Sequence, residues 1–110
     1  EGDDVEAELV GLTAPVSDGV ALTTYRVVQE ALSNVRKHAG PGAAARVRVA
    51  VSDDAVQVEV TDDGRGAAVA SDGRGLGLLG MRERVDAHGG ELSTGPRPGG
   101  GFAVRARIPR

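Results

Sequence analysis

The sequence predicts an α+β fold in which helices pack on one face of a mixed, mainly antiparallel sheet. Two observations lead to this prediction. Apolar residues recur at helical spacing in two stretches, and apolar and polar residues alternate in the segments between them. The resulting order is strand, helix, hairpin, loop, helix, hairpin, and antiparallel pairs separated by helices favour a two-layer sandwich. A chain of 110 residues fits one domain with one core.

The first predicted elements are a strand over residues 5–12 and the start of a long helix. Apolar and polar residues alternate loosely along this strand. Pro15 follows it, and then come Ser17 and Asp18, whose side-chain oxygens can accept hydrogen bonds from the first unpaired amides of a helix. We therefore expect the helix to begin at this pair.

The long helix is predicted over residues 19–38. Its apolar residues recur at helical spacing, at Ala21, Val28, Leu32 and Val35, with Tyr25 beside them. The Ala-Gly-Pro sequence at residues 39–41 combines a glycine, suited to the position after a helix, with a proline that cannot continue it. The helix is therefore expected to end before this tripeptide.

Residues 46–51 and 56–60 are predicted to form an antiparallel hairpin. The first segment alternates charged and apolar residues, and the second has valine at every other position. Asp53 and Asp54 lie between the two segments, where the chain turns. Alternation of this kind is typical of strands with one buried and one solvated face.

The second half contains a loop, a second helix and a final hairpin. Residues 61–75 are rich in glycine and aspartate and have no usable periodicity, so we expect a loop there. Residues 76–88 resume helical spacing through Leu79, Met81 and Val85.

The last two strands are predicted at residues 91–94 and 102–108. The turn GPRPGGG joins them. Pro96 and Pro98 are both expected in that turn, where they interrupt no strand.

Composition excludes several classes of function. A net charge of −3 lacks the basic excess of a nucleic-acid-binding domain, and the absence of cysteine excludes disulfides and thiolate metal sites. No apolar run approaches the roughly 20 residues that a membrane span needs, so we expect no membrane contact by this domain. The 17 glycines lie mostly between Gly64 and Gly101 and indicate backbone that bends or approaches a ligand closely.

Three blocks of sequence could carry chemistry, and the first lies on the long helix in QEALSNVRKHA. At about 100° per residue, Glu30, Asn34 and Lys37 share one face with Arg26, and His38 lies at its edge. A solvated helix face is the simpler interpretation of this polar stripe. Asparagine is a poor helix former, however, and a carboxylate with an amide oxygen can hold a hydrated Mg²⁺ while a cation steadies a triphosphate.

The second block is TDDGRG, directly after the predicted strand at residues 56–60. Its glycines leave the backbone bare, and a carboxylate there can accept a hydrogen bond from an exocyclic amine such as that of adenine. Taken alone, these residues are more typical of an ordinary turn in which an aspartate caps its own backbone.

The third block is DGRGLGLLGMRERV, in which Gly73, Gly75 and Gly77 come at every second residue before a helix. Bare amides that lead into a helix N-terminus form a natural phosphate site, although a flexible loop explains the pattern as well. The spacing also matches a dinucleotide fingerprint, but no strand precedes it, and the lysine of a Walker A loop is absent. The two histidines lack any metal-ligand spacing.

In this order, the three blocks resemble the boxes of the GHKL ATPase superfamily, which includes histidine kinases, gyrase and Hsp90. QEALSNVRKHA resembles the N box, TDDGRG the G1 box and GRGLGLLGMRERV the G2 box. The continuation through GMRERV and HGGEL is similar to the short-lid sensor histidine kinases that are paired with helix-turn-helix response regulators. The resemblance covers residues 25–109 and implies a Bergerat-type sandwich that binds ATP and Mg²⁺.

The resemblance assigns catalytic roles to two residues of the N box. Asn34 matches the asparagine that coordinates Mg²⁺ in the family, so it is also the expected metal ligand. Glu30 matches the acid that lies near the γ-phosphate. Lys37 and His38 are expected near the nucleotide phosphates.

The G1 and G2 boxes imply the remaining nucleotide contacts. Asp62 matches the aspartate that receives the adenine amino group, with Gly64 and Gly66 framing the purine. Residues 63–74 would form a short ATP lid. The residues expected along the nucleotide after the lid are Gly73, Gly75, Leu76 and Gly77.

The resemblance also implies partners. The γ-phosphoryl group of ATP would pass to a histidine on the dimerisation domain of the same kinase, with a response regulator downstream. Because His38 lies in the N box and His88 ends the second predicted helix, residues 1–110 are expected to be the catalytic domain alone, with Glu1 at a domain boundary. We expect a monomer here, a homodimeric parent and a cytoplasmic location, whether or not the parent is anchored in a membrane.

Two alternatives stay open. An anti-sigma-factor serine kinase has similar boxes, although GMRERV and HGGEL argue against it. A nucleotide-binding module could instead regulate a partner without catalysis. The presence of Glu30, Asn34 and Asp62 argues against a degenerate site of that kind.

Overall fold

A computed structural model describes residues 4–11, 15–38, 42–64 and 78–110. Within these ranges the chain forms five strands and two helices. In chain order they are β1 (Asp4–Val10), α1 (Asp18–His38), β2 (Ala44–Val51), β3 (Ala55–Asp62), α2 (Leu78–Ala87), β4 (Glu91–Pro96) and β5 (Phe102–Pro109).

The strands form one mixed sheet in the order β1-β2-β3-β5-β4. β1 pairs with β2 in parallel, whereas β2 with β3, β3 with β5 and β4 with β5 are antiparallel. The two predicted hairpins are therefore present as β2–β3 and β4–β5. The predicted α+β class, with a mixed and mainly antiparallel sheet, is confirmed.

Valines on alternate positions of three strands build the inner face of the sheet. The β2–β3 register sets Val47 opposite Val60 and Val49 opposite Val58, and Val60 also lies opposite Val104 of β5. All five side chains are buried. The helices complete this core with Val20, Val27, Ala31, Met81 and Val85.

Ser17 caps the start of α1. Its hydroxyl oxygen accepts a hydrogen bond from the amide of Val20 at 3.2 Å, and its carbonyl accepts the first helical bond, from the amide of Ala21, at 2.9 Å. Asp18 is the first helical residue, where its negative charge opposes the positive end of the helix dipole. Ser17 thus satisfies an amide that has no partner within the helix.

The buried face of α1 is displaced from the predicted one by about one position. Val27 and Ala31 are 0% and 2% exposed and form its centre. The predicted apolar residues are half-buried at its margin or exposed, namely Val28, Leu32, Val35, Ala21 and Tyr25. Small residues such as Ala31 add little to a hydrophobic pattern, yet they let a helix approach a valine-covered sheet closely.

Within the described residues α2 spans Leu78–Ala87, inside the predicted range of 76–88, and it buries a narrow stripe. Met81 and Val85 are fully buried, whereas Leu79, which the sequence pattern groups with them, is 67% exposed. Leu79 lies two positions before Met81, which turns it about 200° around the helix axis.

The final hairpin has a shorter turn than predicted. β4 extends to Pro96, which pairs with Phe102, so the expectation that Pro96 lies in the turn is wrong. β4 is the last strand in the sheet order, and an edge strand tolerates a residue without a backbone N–H.

The outer face of the sheet is charged and solvated. Arg46 pairs with Glu6 at 3.0 Å, Arg48 with Glu8 at 3.2 Å, and Arg105 with Glu59 at 2.7 Å; all six side chains are at least 40% exposed. Because exposed ion pairs each contribute about 0–1 kcal/mol, they do little for stability. These charged side chains keep the outer face hydrated, so both helices pack on the inner face of the sheet.

β1 lies at the opposite edge of the sheet from β4. Val5 and Leu9 lie opposite Ala45 and Val49, so they share the inner face, yet they are 53% and 61% exposed. The helices pack over the other strands and leave this part of the inner face uncovered. Neither helix in the described ranges has the length and apolarity that a membrane span requires.

The position of the buried face of α1 is tested by a pair of adjacent valines. Val27→Ala removes two methyl groups from a site without solvent exposure and is expected to lower the free energy of unfolding by about 2 kcal/mol. Val28→Ala makes the same change in helix propensity at a half-buried position and should cost about half as much or less. Chemical denaturation measures both values, and a larger loss for Val28→Ala would refute the observed orientation of α1.

Candidate functional site

β3 ends in a buried aspartate. Val56, Val58 and Val60 face the core, and because side chains alternate along a strand, Asp62 points to the same side. Only 7% of Asp62 is exposed. A carboxylate at the margin of an apolar core is stable only if hydrogen bonds replace its water.

Asp62 finds one such partner two residues ahead. Its Oδ1 atom accepts a hydrogen bond from the amide of Gly64 at 2.8 Å. This bond forms a turn in which an aspartate caps its own backbone, which is the simpler interpretation of the block TDDGRG. A carboxylate can accept about four hydrogen bonds, so this turn leaves acceptor capacity for a ligand. The turn and a ligand site are therefore compatible in the same residue.

The neighbouring aspartate has a structural role. Oδ1 of Asp63 accepts a hydrogen bond from the amide of Ala44 at 2.7 Å, and the amide of Asp63 donates to the carbonyl of Ala44 at 3.1 Å. Asp63 thus ties the end of β3 to the start of β2. The two aspartates of TDDGRG differ in role because they point to opposite sides of the strand.

The other side of this turn is held by Arg97. The β3–β5 pairing stops at Thr61 and Ala103, so the carbonyl of Asp62 lies beyond the last pair of that ladder. Nη1 of Arg97, from the β4–β5 turn, donates a hydrogen bond to this carbonyl at 2.8 Å. Sequence reasoning missed Arg97. Its only sequence signal is that it is the sole charged residue in the turn GPRPGGG.

Gly101 packs against the same carbonyl. Its φ angle is +95°, and a Cβ atom at this position would lie 1.9 Å from the carbonyl oxygen of Asp62. No side chain fits there without moving the end of β3. Residue 101 is therefore glycine for two reasons, its backbone conformation and its close approach to Asp62.

The predicted polar stripe of α1 flanks the buried face of the helix. Glu30 and Asn34 are half-buried, one turn apart, whereas Lys37 is exposed. His38 is the last residue of α1, and the placement of its side chain lies outside what the structure describes. The half-buried state of Glu30 and Asn34 differs from the fully solvated face that was the simpler interpretation.

The two groups of predicted residues lie at the same end of the sandwich. α1 packs across β3, and after α1 only residues 39–43 precede Ala44, which is bonded to Asp63. A connection this short spans at most about 20 Å. The structure thus brings the C-terminal half of α1 to the end of the sheet that carries Asp62 and Gly64.

The remaining predicted site residues lie outside the described ranges. They are Gly66, Gly73, Gly75, Leu76 and Gly77. The described part of the chain resumes at Leu78 in α2. The contacts assigned to these five residues, and the lid, stay predictions.

The described residues contain no cluster of three or more histidine, cysteine, aspartate or glutamate side chains that could hold a metal. The donor chemistry on α1 nevertheless suits Mg²⁺, because Glu30 and Asn34 offer a carboxylate and an amide oxygen. Mg²⁺ usually keeps several waters and takes only one or two protein oxygens in addition to substrate phosphates. A nucleotide-dependent site therefore needs no larger cluster.

An open depression among the described residues lies away from this site, on the outer face of the sheet. Arg48, Gln57, Glu59, Arg105 and Arg107 are among its lining residues. Its charges alternate in sign and partly pair with each other. It has neither a buried polar group nor an enclosed volume, and we assign it no part in the function of Asp62.

Comparison with known proteins agrees with the geometry. Residues 19–110 match the family described as histidine kinase-, DNA gyrase B-, and HSP90-like ATPase. The sensor histidine kinase YxjM of Bacillus subtilis is 37% identical over 90 residues, which are 82% of this chain and 21% of YxjM. The chain thus spans about a fifth of the length of this relative.

Solved structures show the same fold. The blue-light-activated histidine kinase EL346 of Erythrobacter litoralis superposes with a TM-score of 0.80 at 28% identity, over 99% of this chain and 36% of that one. The nucleotide-free catalytic domain of the histidine kinase ThkA superposes with a TM-score of 0.76 at 22% identity, over 97% of this chain and 80% of that one. The sandwich is the fold of histidine kinase catalytic domains.

The close approach of Gly101 to Asp62 is tested against Gly99, which has a similar φ of +86° but no neighbour near its Cβ position. Gly99→Ala should lose about 1–2 kcal/mol of unfolding free energy from backbone strain alone. Gly101→Ala adds a steric clash with the Asp62 carbonyl and should lose clearly more. Denaturant unfolding compares the two, and equal losses would show that the contact with Asp62 has no energetic weight.

Proposed function

The chain belongs to the family of histidine kinase-, DNA gyrase B- and HSP90-like ATPases, and we propose that it binds Mg-ATP and supplies the γ-phosphoryl group for phosphorylating a histidine on a separate dimerisation domain. The matched relatives are sensor histidine kinases, which supports the kinase assignment within the family. The family's other members hydrolyse or bind ATP for other ends, so the histidine acceptor is the part of the proposal that needs its own test.

The observation that carries the proposal is the buried carboxylate of Asp62 at the end of β3. It is fixed by the Gly64 amide at 2.8 Å and retains acceptor capacity. In the proposed complex this carboxylate accepts a hydrogen bond from the adenine amino group. The partly apolar surroundings strengthen such a bond because little water competes for it. Gly64 lacks a side chain, which lets the purine lie close to the turn.

Glu30 and Asn34 are proposed to bind at the phosphate end of the nucleotide. The amide oxygen of Asn34 would be a ligand of Mg²⁺, and the Glu30 carboxylate would order metal-bound water near the γ-phosphate. Mg²⁺ would neutralise the charge that develops on the phosphates during transfer. Lys37 is exposed on the next turn of the same stripe, where a flexible cation can reach a phosphate oxygen. His38 follows it and is proposed to lie near the phosphates.

The lid and the glycines are proposed to complete the site. The amides of Gly73, Gly75, Leu76 and Gly77 would meet the phosphates, and Gly66 would frame the purine with Gly64. This part of the proposal is supported by the presence of α2 from Leu78 onward, since a helix that follows these glycines would direct its N-terminal amides towards phosphate. The short lid and the pairing with a helix-turn-helix response regulator are further proposals that rest on the GMRERV and HGGEL segments.

The acceptor histidine is proposed to be on another domain. An imidazole nitrogen of that histidine would attack the γ-phosphorus, ADP would leave with the electrons of the broken P–O bond, and the imidazole would release its N–H proton to water. The domain supplies position and charge neutralisation for this step rather than covalent chemistry. The parent is proposed to be a cytoplasmic-facing homodimer that passes the phosphoryl group on to a response regulator.

Adenine recognition is tested by replacing the carboxylate alone. Asp62→Asn keeps an oxygen for Gly64 but presents an amide that can donate to the O6 atom of guanine, so ATP binding should weaken about tenfold and selectivity over GTP should fall. Asp63→Asn makes the same charge change in the neighbouring residue and should leave both affinities near those of the wild type. Calorimetric titration measures them. Unchanged selectivity in Asp62→Asn would remove Asp62 from the adenine site.

Phosphoryl transfer is tested with radiolabelled ATP and the dimerisation domain of the parent kinase. Acid-labile label should appear on a histidine of that domain, and Asn34→Ala should abolish the Mg²⁺-dependent part of the transfer while the domain stays folded. Label on a serine of another protein would favour the serine kinase instead. Nucleotide binding without any transfer would favour a regulatory module.

A further inference from the structure

We propose that Arg97 is a positioning residue for adenine recognition, because it fixes the backbone of Asp62 at the point where strand pairing ends. This inference rests on the proposed function, since it assigns Asp62 to adenine. It goes beyond that function because the proposed function gives Arg97 no role.

The backbone of Asp62 lies at the point where strand pairing ends. On the β2 side Asp62 lies opposite Ala45, within the strand ladder. On the β5 side the register ends one residue earlier, at Thr61 and Ala103. Asp62 is thus half inside the sheet and half outside it. A residue in this position keeps its orientation only if another group replaces the missing strand partner.

Arg97 replaces the missing strand partner of Asp62. Nη1 of Arg97 donates a hydrogen bond to the carbonyl oxygen of Asp62 at 2.8 Å. A charged donor makes a stronger hydrogen bond than a backbone amide, and it reaches across from a different hairpin. The bond holds the peptide plane of Asp62, and the direction of its Cα–Cβ bond depends on that plane. Arg97 therefore acts on the carboxylate through the backbone.

The turn that carries Arg97 is itself held by hydrogen bonds. The amide of Arg97 donates to the carbonyl of Gly101 at 2.9 Å, and the amide of Gly100 donates to the carbonyl of Arg97 at 3.1 Å. Gly101 in turn packs against the Asp62 carbonyl. The turn is closed on itself and pressed against the end of β3. Arg97 is thus held at its backbone by the turn and at its guanidinium by the Asp62 carbonyl.

The orientation of the Asp62 carboxylate affects selectivity between adenine and guanine. Donors and acceptors discriminate between bases only if they are held in register with the base edge. If the Asp62 peptide plane can rotate, the carboxylate still exists but its direction varies, and an adenine amine is preferred less strongly over a guanine carbonyl. We therefore expect Arg97 to affect the ratio of ATP to GTP affinity.

The experiment compares Arg97→Met with Arg107→Met in the whole 110-residue chain. Both changes remove one positive charge and keep a long apolar chain, but Arg107 lies on the outer face of the sheet, away from Asp62. Calorimetry well below the unfolding midpoint gives the affinities for ATP and GTP. Arg97→Met should weaken ATP about fivefold to tenfold and lower the selectivity, whereas Arg107→Met should change neither.

Two further variants separate positioning from a general loss of stability. Arg97→Lys restores one charged donor and should recover part of the selectivity. In an Asp62→Ala background, Arg97→Met should change the selectivity no further, because residue 62 then has no polar side chain to position. In ¹⁵N NMR spectra without nucleotide, the Gly64 amide should shift in Arg97→Met and not in Arg107→Met.

The outcomes distinguish this inference from the function on which it rests. A wild-type chain that binds no ATP would overturn the proposed function. Wild-type binding with unchanged selectivity in Arg97→Met would overturn only the role of Arg97. An equal weakening of ATP and GTP would overturn it as well, since that result indicates a contribution that does not act through the base.

Discussion

The site depends on the place at which the β3–β5 ladder stops. A sheet that continued its pairing past Thr61 would satisfy the Asp62 carbonyl with a backbone amide. Because pairing with β5 stops there, the chain is free to turn after Asp62, where the Gly64 amide bonds to the Asp62 carboxylate. Arg97 and Gly101 hold the bend in place. The turn at Asp62 and the groups that hold it thus depend on the same interruption of strand pairing.

The two chemical groups of the candidate site come from different layers of the sandwich. α1 carries Glu30 and Asn34 at the margin of its buried face, and β3 carries Asp62 at its end. Each group is held by an element that the core immobilises, with the valines of β3 under the helix. Oxygen donors on rigid elements keep their separation when a ligand binds, which favours recognition by position rather than by rearrangement.

Much of the fold could be predicted from the sequence, because strong local signals agree with the tertiary structure. The cap at Ser17 and the alternating valines of β3 are local features, and both were recognised. The orientation of α1 was not, because its centre includes Ala31, whose small side chain leaves no mark in a hydrophobic pattern. Arg97 could not be found either, since its partner lies 35 residues away and is a backbone carbonyl, which any residue possesses.

β1 differs from the rest of the sheet in what holds it. It has a full set of parallel partners on β2, but Val5 and Leu9 bury little apolar surface, and its ion pairs are exposed. Hydrogen bonds at a wet edge open at a far smaller free energy than those of a packed core. We therefore expect hydrogen exchange at β1 amides to proceed by local opening of this strand, and exchange at β3 amides to require global unfolding. Such an opening would leave in place the hydrogen bonds that hold Asp62, which come from Gly64 and Arg97 and not from β1.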